Sequence, residues 1–367
     1  RLDFAGITLT GVASIDAGFG NDTVIGSAAA DTIVLGGGND MLAGGDGDDL
    51  FIARSGAGLD SIDGGTGFDT IVADADDVVL SVTALASIEV IDADGHTGLV
   101  LVGGSGADTL DFAGVMLTGV ASIDAGGGND SVTGSAGADT ILLGAGNDLL
   151  AGGDGDDVFL AGASNGSDRI DGGAGHDVIR ATVDNAVIGL TSLSTVEAID
   201  GAGFAAVRLA GTSAADSIDL AGVTLSGIAA IEGGSGNDSI TGSAGNDRIL
   251  GGAGADVLAG GSGTDSFVYT LVADSGVGTS KADRILDFTS GSDILDLAGI
   301  DADATQAGDQ AFTFIGSAAF TGLGQLRIGV DAEGNVALFG NTTGSLSADF
   351  QVSFDTTTPI LPADILL

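Results

Sequence analysis

A nine-residue unit recurs along this chain, and it leaves little freedom in what the chain can fold into. From Ala17 the sequence reads AGFGNDTVI, GSAAADTIV, LGGGNDMLA and GGDGDDLFI, then, after a two-residue insertion, SGAGLDSID and GGTGFDTIV. A second block of six units starts at Ala125, with an insertion of the same length at the same place, and a third block of four starts at Gly233. Asp stands at the sixth place and an apolar residue at the eighth in all sixteen units, so both places carry a structural requirement. A longer period of 108 residues contains the short one: Leu2-Asp3-Phe4-Ala5-Gly6 returns at Leu110–Gly114 and, as Ile218-Asp219-Leu220-Ala221-Gly222, once more. That period puts the equivalent of Asp108 just before Arg1, so the sequence reads as a piece of something longer, cut within a repeat.

Each unit has two physical parts. The Gly-rich six residues suit a tight turn, because glycine accepts positive φ and close backbone approach. The last three, such as Thr23-Val24-Ile25, are β-prone and make a short strand whose eighth-place residue points inward. Two units then close a coil of about 18 residues, and the coils stack with parallel strands. The expected fold is all-β, a right-handed parallel β-roll, the hand taken from the rule for parallel crossovers. An inward ladder of Val, Ile, Leu and Phe contributes roughly 2 kcal/mol per side chain. Ordering each residue costs about 1–2 kcal/mol, and the 67 glycines make that ordering especially costly, so the ladder alone is insufficient. With only 2 prolines collagen is excluded, and with no cysteine neither a disulfide nor a thiolate metal site can act as the staple.

The charge balance points to the staple. Acidic residues number 52 against 9 basic ones, a net charge of −43. Such a field repels nucleic acid and anionic membrane surfaces and opposes compaction until cations neutralise it. Stacking brings each sixth-place Asp beside the one two units on: Asp22 over Asp40, Asp31 over Asp49, Asp130 over Asp148. A hard cation between such carboxylates reverses the repulsion. Calcium accepts six to eight oxygens, which carboxylates and glycine-turn carbonyls can supply, whereas magnesium dehydrates reluctantly. Without Cys or clustered His, zinc and copper are poor candidates.

These units resemble the repeats-in-toxin (RTX) nonapeptide G-G-x-G-x-D-x-U-x, a pattern known to bind calcium. The resemblance implies that the sixth-place Asp and the turn carbonyls hold calcium between successive coils. It makes ligands of Asp22, Asp31, Asp40, Asp49, Asp60 and Asp69, of Asp130, Asp139, Asp148, Asp157, Asp168 and Asp177, and of Asp238, Asp247, Asp256 and Asp265. Asp108, in the degenerate unit from Gly103, and Asp283, just after the repeats, join the set. Roughly ten Ca2+ ions are expected, from about n − 2 complete sites in a block of n units. Ala29 stands where the pattern has its fourth-place Gly, and several units lack the first Gly, which points to weaker sites there. The spacers, 73–124 and 181–232, keep Asp108 and Asp216 and otherwise alternate apolar residues, as in Val78-Val79-Leu80-Ser81-Val82; they read as metal-free coils continuing the solenoid.

Beyond Phe267 the pattern changes. Asp283-Arg284-Ile285-Leu286-Asp287-Phe288 and Gly291–Leu297 resemble the segment after the repeats in serralysin-type secreted proteins, and Ala363–Leu367 resembles their end. The resemblance implies an uncleaved type I secretion signal, and an open sheet edge requires a β cap at this end. The sequence thus divides into 1–72 (a truncated first long repeat with calcium block one), 73–180 (spacer and block two), 181–268 (spacer and block three) and 269–367 (cap and secretion region).

Other motifs carry no chemistry. His96 and His176 are the two histidines, and there is no H-E-x-x-H. Gly162-Ala163-Ser164-Asn165-Gly166 matches G-x-S-x-G, but a repeat turn follows it where a nucleophile elbow needs a helix. Asp92-Ala93-Asp94-Gly95 opens like an EF-hand loop, but Gly103 stands at its position twelve. Thr23, Thr32, Thr70 and Thr140 do not extend into a threonine face, because Met41, Leu50 and Arg169 occupy matching places. Asn-x-Ser/Thr matches such as Asn21-Asp22-Thr23 lie inside the metal turns. No apolar run is long enough to span a membrane, and no signal peptide is visible. The expected function is a calcium-folded structural and export module, not an enzyme, of a secreted or cell-surface protein of surface-layer or adhesin type. The alternative is the non-catalytic export and folding tail of a secreted protease, lipase or epimerase. Expected partners are calcium, a type I exporter and, at a cell surface, polysaccharide or further copies of the chain.

Overall fold

The structure, a computed structural model, describes residues 1–163, 165–355 and 360–367. The chain is an all-β parallel β-solenoid of about 13 turns. Among the described residues the helices are two 3-10 turns, Val272–Asp274 and Pro362–Asp364, and no helix is long and apolar enough to cross a membrane. Two compact units divide it: Arg1–Thr182 with Ser194–Val196, and Val183–Leu193 with Glu197–Leu367.

In the first unit the three-residue tails of the nonapeptides form strands, and register follows from the repeat. Thr23–Ile25 pairs in parallel with Met41–Asp46, placing Val24 beside Leu42, and Leu42 in turn lies beside Ile62. The opposite row runs Ile33, Phe51, Ile71 and Ile91 in the same way. These eighth-place side chains are buried, because a period of two turns every second one inward while the flanking residues stay partly exposed. The first spacer continues the stack: Leu80 pairs with Leu101, and Leu101 with Ile123. Its coils are larger and irregular, with register shifts after Asp60 and Leu99. The partly exposed row at the seventh place is mixed (Thr32, Leu50 and Thr70), so no flat threonine face forms.

In the second unit two inward rows run as Ile218, Ile240, Leu258 and Ile285, and as Ile231, Ile249, Phe267, Leu295 and Ile365. Here the parallel pattern ends. Gln325–Val330, Val336–Asn341 and Phe350–Phe354 are antiparallel to one another, and the last of them pairs in parallel with Asp283–Ile285. Aromatic rings fill this junction. Phe288 lies 6.1 Å from Phe267 and 5.3 Å from Phe354, and Tyr269 meets Phe350 edge-on at 5.4 Å, centroid to centroid.

Candidate metal centre

The turns between strands are built by glycine at two levels. Gly45 and Gly47 adopt φ of +113° and +112°, a region that L side chains avoid. Gly44 is constrained by space instead. A Cβ there would lie 2.1 Å from Asp49 Oδ2 and 2.5 Å from the Gly64 carbonyl oxygen of the next coil. Gly152 repeats this, 2.1 Å from Asp157 Oδ2 and 2.4 Å from the Gly172 carbonyl. The first glycine of such a unit therefore marks a place where a carboxylate oxygen and a carbonyl oxygen crowd one small volume.

The sixth-place aspartates form ladders. The backbone N–H of each donates to Oδ1 of the aspartate one coil on: Asp31 to Asp49 at 2.7 Å, Asp49 to Asp69 at 2.8 Å, Asp22 to Asp40 at 2.7 Å and Asp40 to Asp60 at 2.9 Å. In block two the steps are Asp108 to Asp130, Asp130 to Asp148 and Asp148 to Asp168, with Asp139, Asp157 and Asp177 in the second row. In block three they are Asp216, Asp238, Asp256 and Asp283, and Asp247, Asp265 and Asp293. All the predicted residues thus occupy ladder places. One carboxylate oxygen of each upper rung is already anchored by backbone, a contact that pattern reading alone did not supply.

The other oxygen is the informative one. Oδ2 of Asp40, Asp49, Asp60, Asp69, Asp130, Asp148, Asp157, Asp238 and Asp256 is buried and receives no hydrogen bond. An ionised carboxylate only accepts, so a second carboxylate or a carbonyl cannot satisfy it. Leaving such an atom bare costs about 1–3 kcal/mol or more, repeated at each of these rungs. Burial also raises the carboxyl pKa values: to about 6 for Asp49, Asp60, Asp256 and Asp265, about 7 for Asp157, about 8 for Asp168 and about 9 for Asp283. The ladder N–H bonds pull the other way, and neighbouring aspartates add to the rise.

Among the described residues no three His, Cys, Asp or Glu side chains gather into a metal cluster. The donor set is instead one of paired carboxylates with glycine carbonyls, all oxygen. That set fits a hard cation of high coordination number and suits calcium. A bound cation reverses the local electrostatics, favouring the charged carboxylates that burial disfavours.

Several ladder members escape the nonapeptide template. Glu89 accepts the Asp69 N–H on Oε2 at 2.7 Å, so a longer acid ends that row from within a spacer that has no glycine turn. Asp216 and Asp293 carry rungs of block three. Asp287 receives the N–H groups of Gly260 and Gly261 at 2.9 and 2.8 Å. Spacing alone could have found Asp216; the others follow irregular steps. His96 is half-buried beside Asp76, and His176 lies in an exposed turn whose N–H reaches Asp156. Ser164 of the G-x-S-x-G match lies outside the described residues, and the strand Asp168–Ala174 follows it. Asp92 Oδ1 caps its own turn through the Asp94 N–H.

Parallel coils, glycine turns and stacked acidic rungs together define a calcium-binding β-roll. The comparison with known families agrees. Residues 16–51, 54–77, 124–159, 152–187 and 232–267 match the family described as RTX calcium-binding nonapeptide repeat (4 copies). The matched stretches are RTX-type calcium-binding repeats. Among solved structures it is similar to the AlgE6R2 subunit of the Azotobacter vinelandii mannuronan C5-epimerase, at 28% identity over 43% of this chain and 91% of that one, with a TM-score of 0.33. It is also similar to the AlgE6R3 subunit of that enzyme, at 27% identity over 46% and 78%, with a TM-score of 0.28. No curated protein matches the chain.

Proposed function

We propose that this β-roll is a calcium-folded structural and export module of a secreted or cell-surface protein, of surface-layer or adhesin type, and a type I secretion substrate. The repeated burial of unpartnered Asp Oδ2 atoms supports this reading. With a net charge of −43 and those oxygens bare, the coil carries an unmet electrostatic cost at each open rung. In a calcium-poor cell interior the chain stays unfolded and can thread an exporter. Outside, where calcium reaches the roughly 0.1–1 mM range of extracellular modules, each open rung gains its cation. A site at about one hundred times its Kd adds about 2.7 kcal/mol.

The ligands on this reading are the ladder aspartates with bare oxygens and the turn carbonyls beside them; the ion supplies charge compensation and holds neighbouring coils together. The segment 269–367 acts as cap and export region. Its support is that Phe350–Phe354 pairs with the strand Asp283–Ile285, Ser275 Oγ donates to the Gln351 carbonyl, and Arg284 pairs with Asp355. Far-UV circular dichroism in chelator and then in calcium tests the reading. Strand signal should appear with calcium; equal strand content in both would refute a calcium-folded module.

A further inference from the structure

The ladder turns come in two conformations, and one residue separates them. In the first, the residue four places before the aspartate is a glycine with positive φ: Gly45 before Asp49 (+113°), Gly153 before Asp157 (+110°), Gly252 before Asp256 (+92°). Oδ2 of those aspartates is bare. In the second, that residue has an ordinary backbone and turns its own N–H onto Oδ2. Ser27 donates to Asp31 at 2.6 Å, Ser135 to Asp139 at 2.6 Å and Ser243 to Asp247 at 2.7 Å. The Ser135 and Ser243 hydroxyls add second bonds of 2.9 Å each. Thr212 clasps Asp216 and Thr289 clasps Asp293 likewise, at 2.5 and 2.7 Å. Gly104, without positive φ, clasps Asp108 at 2.5 Å, so the backbone conformation matters more than the hydroxyl. Asp40 and Asp283 depart from the correlation: Gly36 and Thr279 precede them without positive φ, yet neither N–H clasps the carboxylate.

We propose that where a Ser or Thr four residues before a ladder aspartate turns its N–H onto Oδ2, the turn is a metal-free pin, because the N–H claims the carboxylate oxygen that an ion would use. The proposal rests on the calcium reading and subdivides its sites. A side chain at this place resists positive φ, so the turn cannot swing into the open form that Gly45 and Gly153 adopt. Five of the pins stand where a row begins, and Asp293 ends one. Asp31, Asp139, Asp216 and Asp247 each donate upward to the next rung, at Asp49, Asp157, Asp238 and Asp265. Asp31, Asp139 and Asp247, which the nonapeptide pattern counts as ligands, and Asp108 with them, then start their rows without calcium and offer the first open turn a preformed neighbour.

Ion counting by native mass spectrometry of the full chain in a calcium chloride titration tests this. Asp139→Asn and Asp247→Asn should keep the wild-type number of bound ions, since an amide oxygen still accepts the serine N–H. Asp157→Asn and Asp256→Asn should each bind at least one ion fewer below saturation. Loss of an ion from either clasped variant overturns the proposal while leaving the calcium reading intact. If the wild type binds no calcium, both fall together. If the open-turn variants do not fold, the clasped variants decide alone: full count upholds the pin, a reduced count removes it.

Discussion

Glycine serves two different purposes in this chain, and substitution separates them. At Gly44 the obstacle is space, since an added Cβ would sit 2.1 Å from Asp49 Oδ2 against a backbone carbonyl at 2.5 Å. Gly44→Ala should lower stability in calcium by about 1–3 kcal/mol, as overpacking does, and should weaken calcium-induced folding. Gly106 is a contrasting case: a Cβ there meets nothing within 4 Å and its φ is not left-handed. Gly106→Ala should be neutral or stabilise by about 0.4–1 kcal/mol through the unfolded chain. Thermal melts of the two variants in saturating calcium check both, and a large loss at Gly106 would contradict the geometry. The sequence treats the two glycines alike as turn residues; only the neighbouring coil distinguishes them.

At the level of the element, a three-residue strand is too short to hold by itself, and its stability comes from the ladder it joins. Phe51, Phe159 and Phe267 recur at one place in the 108-residue period, and all three are fully buried. Phe159 lies between Ile141 below and Ile179 above, so truncation leaves a void inside the stack. Phe159→Ala should cost about 3–5 kcal/mol. Denaturant unfolding in calcium measures it, and a loss under about 1 kcal/mol would mean that the coil collapses around the gap. The eighth-place rule made this row legible from the sequence, because period two fixes which side chain faces inward. The register shifts after Asp60 and Leu99 were not legible, since the spacers carry no repeated turn that counts residues.

For the molecule as a whole, protons and calcium compete for the same carboxylates, with opposite effects on the two states. In the metal-free coil the folded pKa values of Asp49 and Asp157 rise from 3.8 to about 6 and about 7, burial being the main cause. The folded form therefore holds protons that the unfolded chain has released. That contribution to stability is complete below pH 3.8 and is lost as pH rises through about 6 to 7. In chelator the chain should be more ordered at pH 5 than at pH 7.5, while the calcium needed for folding should be greater at pH 5, because the ion must displace protons. Circular dichroism at the two pH values, with chelator and along a calcium titration, reads both; the same calcium midpoint at both would count against carboxylate ligation. What the sequence determined by itself was whatever repeats: the parallel coil, the inward ladder, the acidic rungs and the choice of a hard cation, all of which follow from a fixed nine-residue spacing and side-chain chemistry. Tertiary structure alone decided which oxygen of each carboxylate is tied to backbone and which is left bare, that Glu89 completes a row, and that serine turns differ from glycine turns. Those depend on where the N–H groups of the same turn and of the adjoining coil point, and a one-dimensional pattern does not carry that direction.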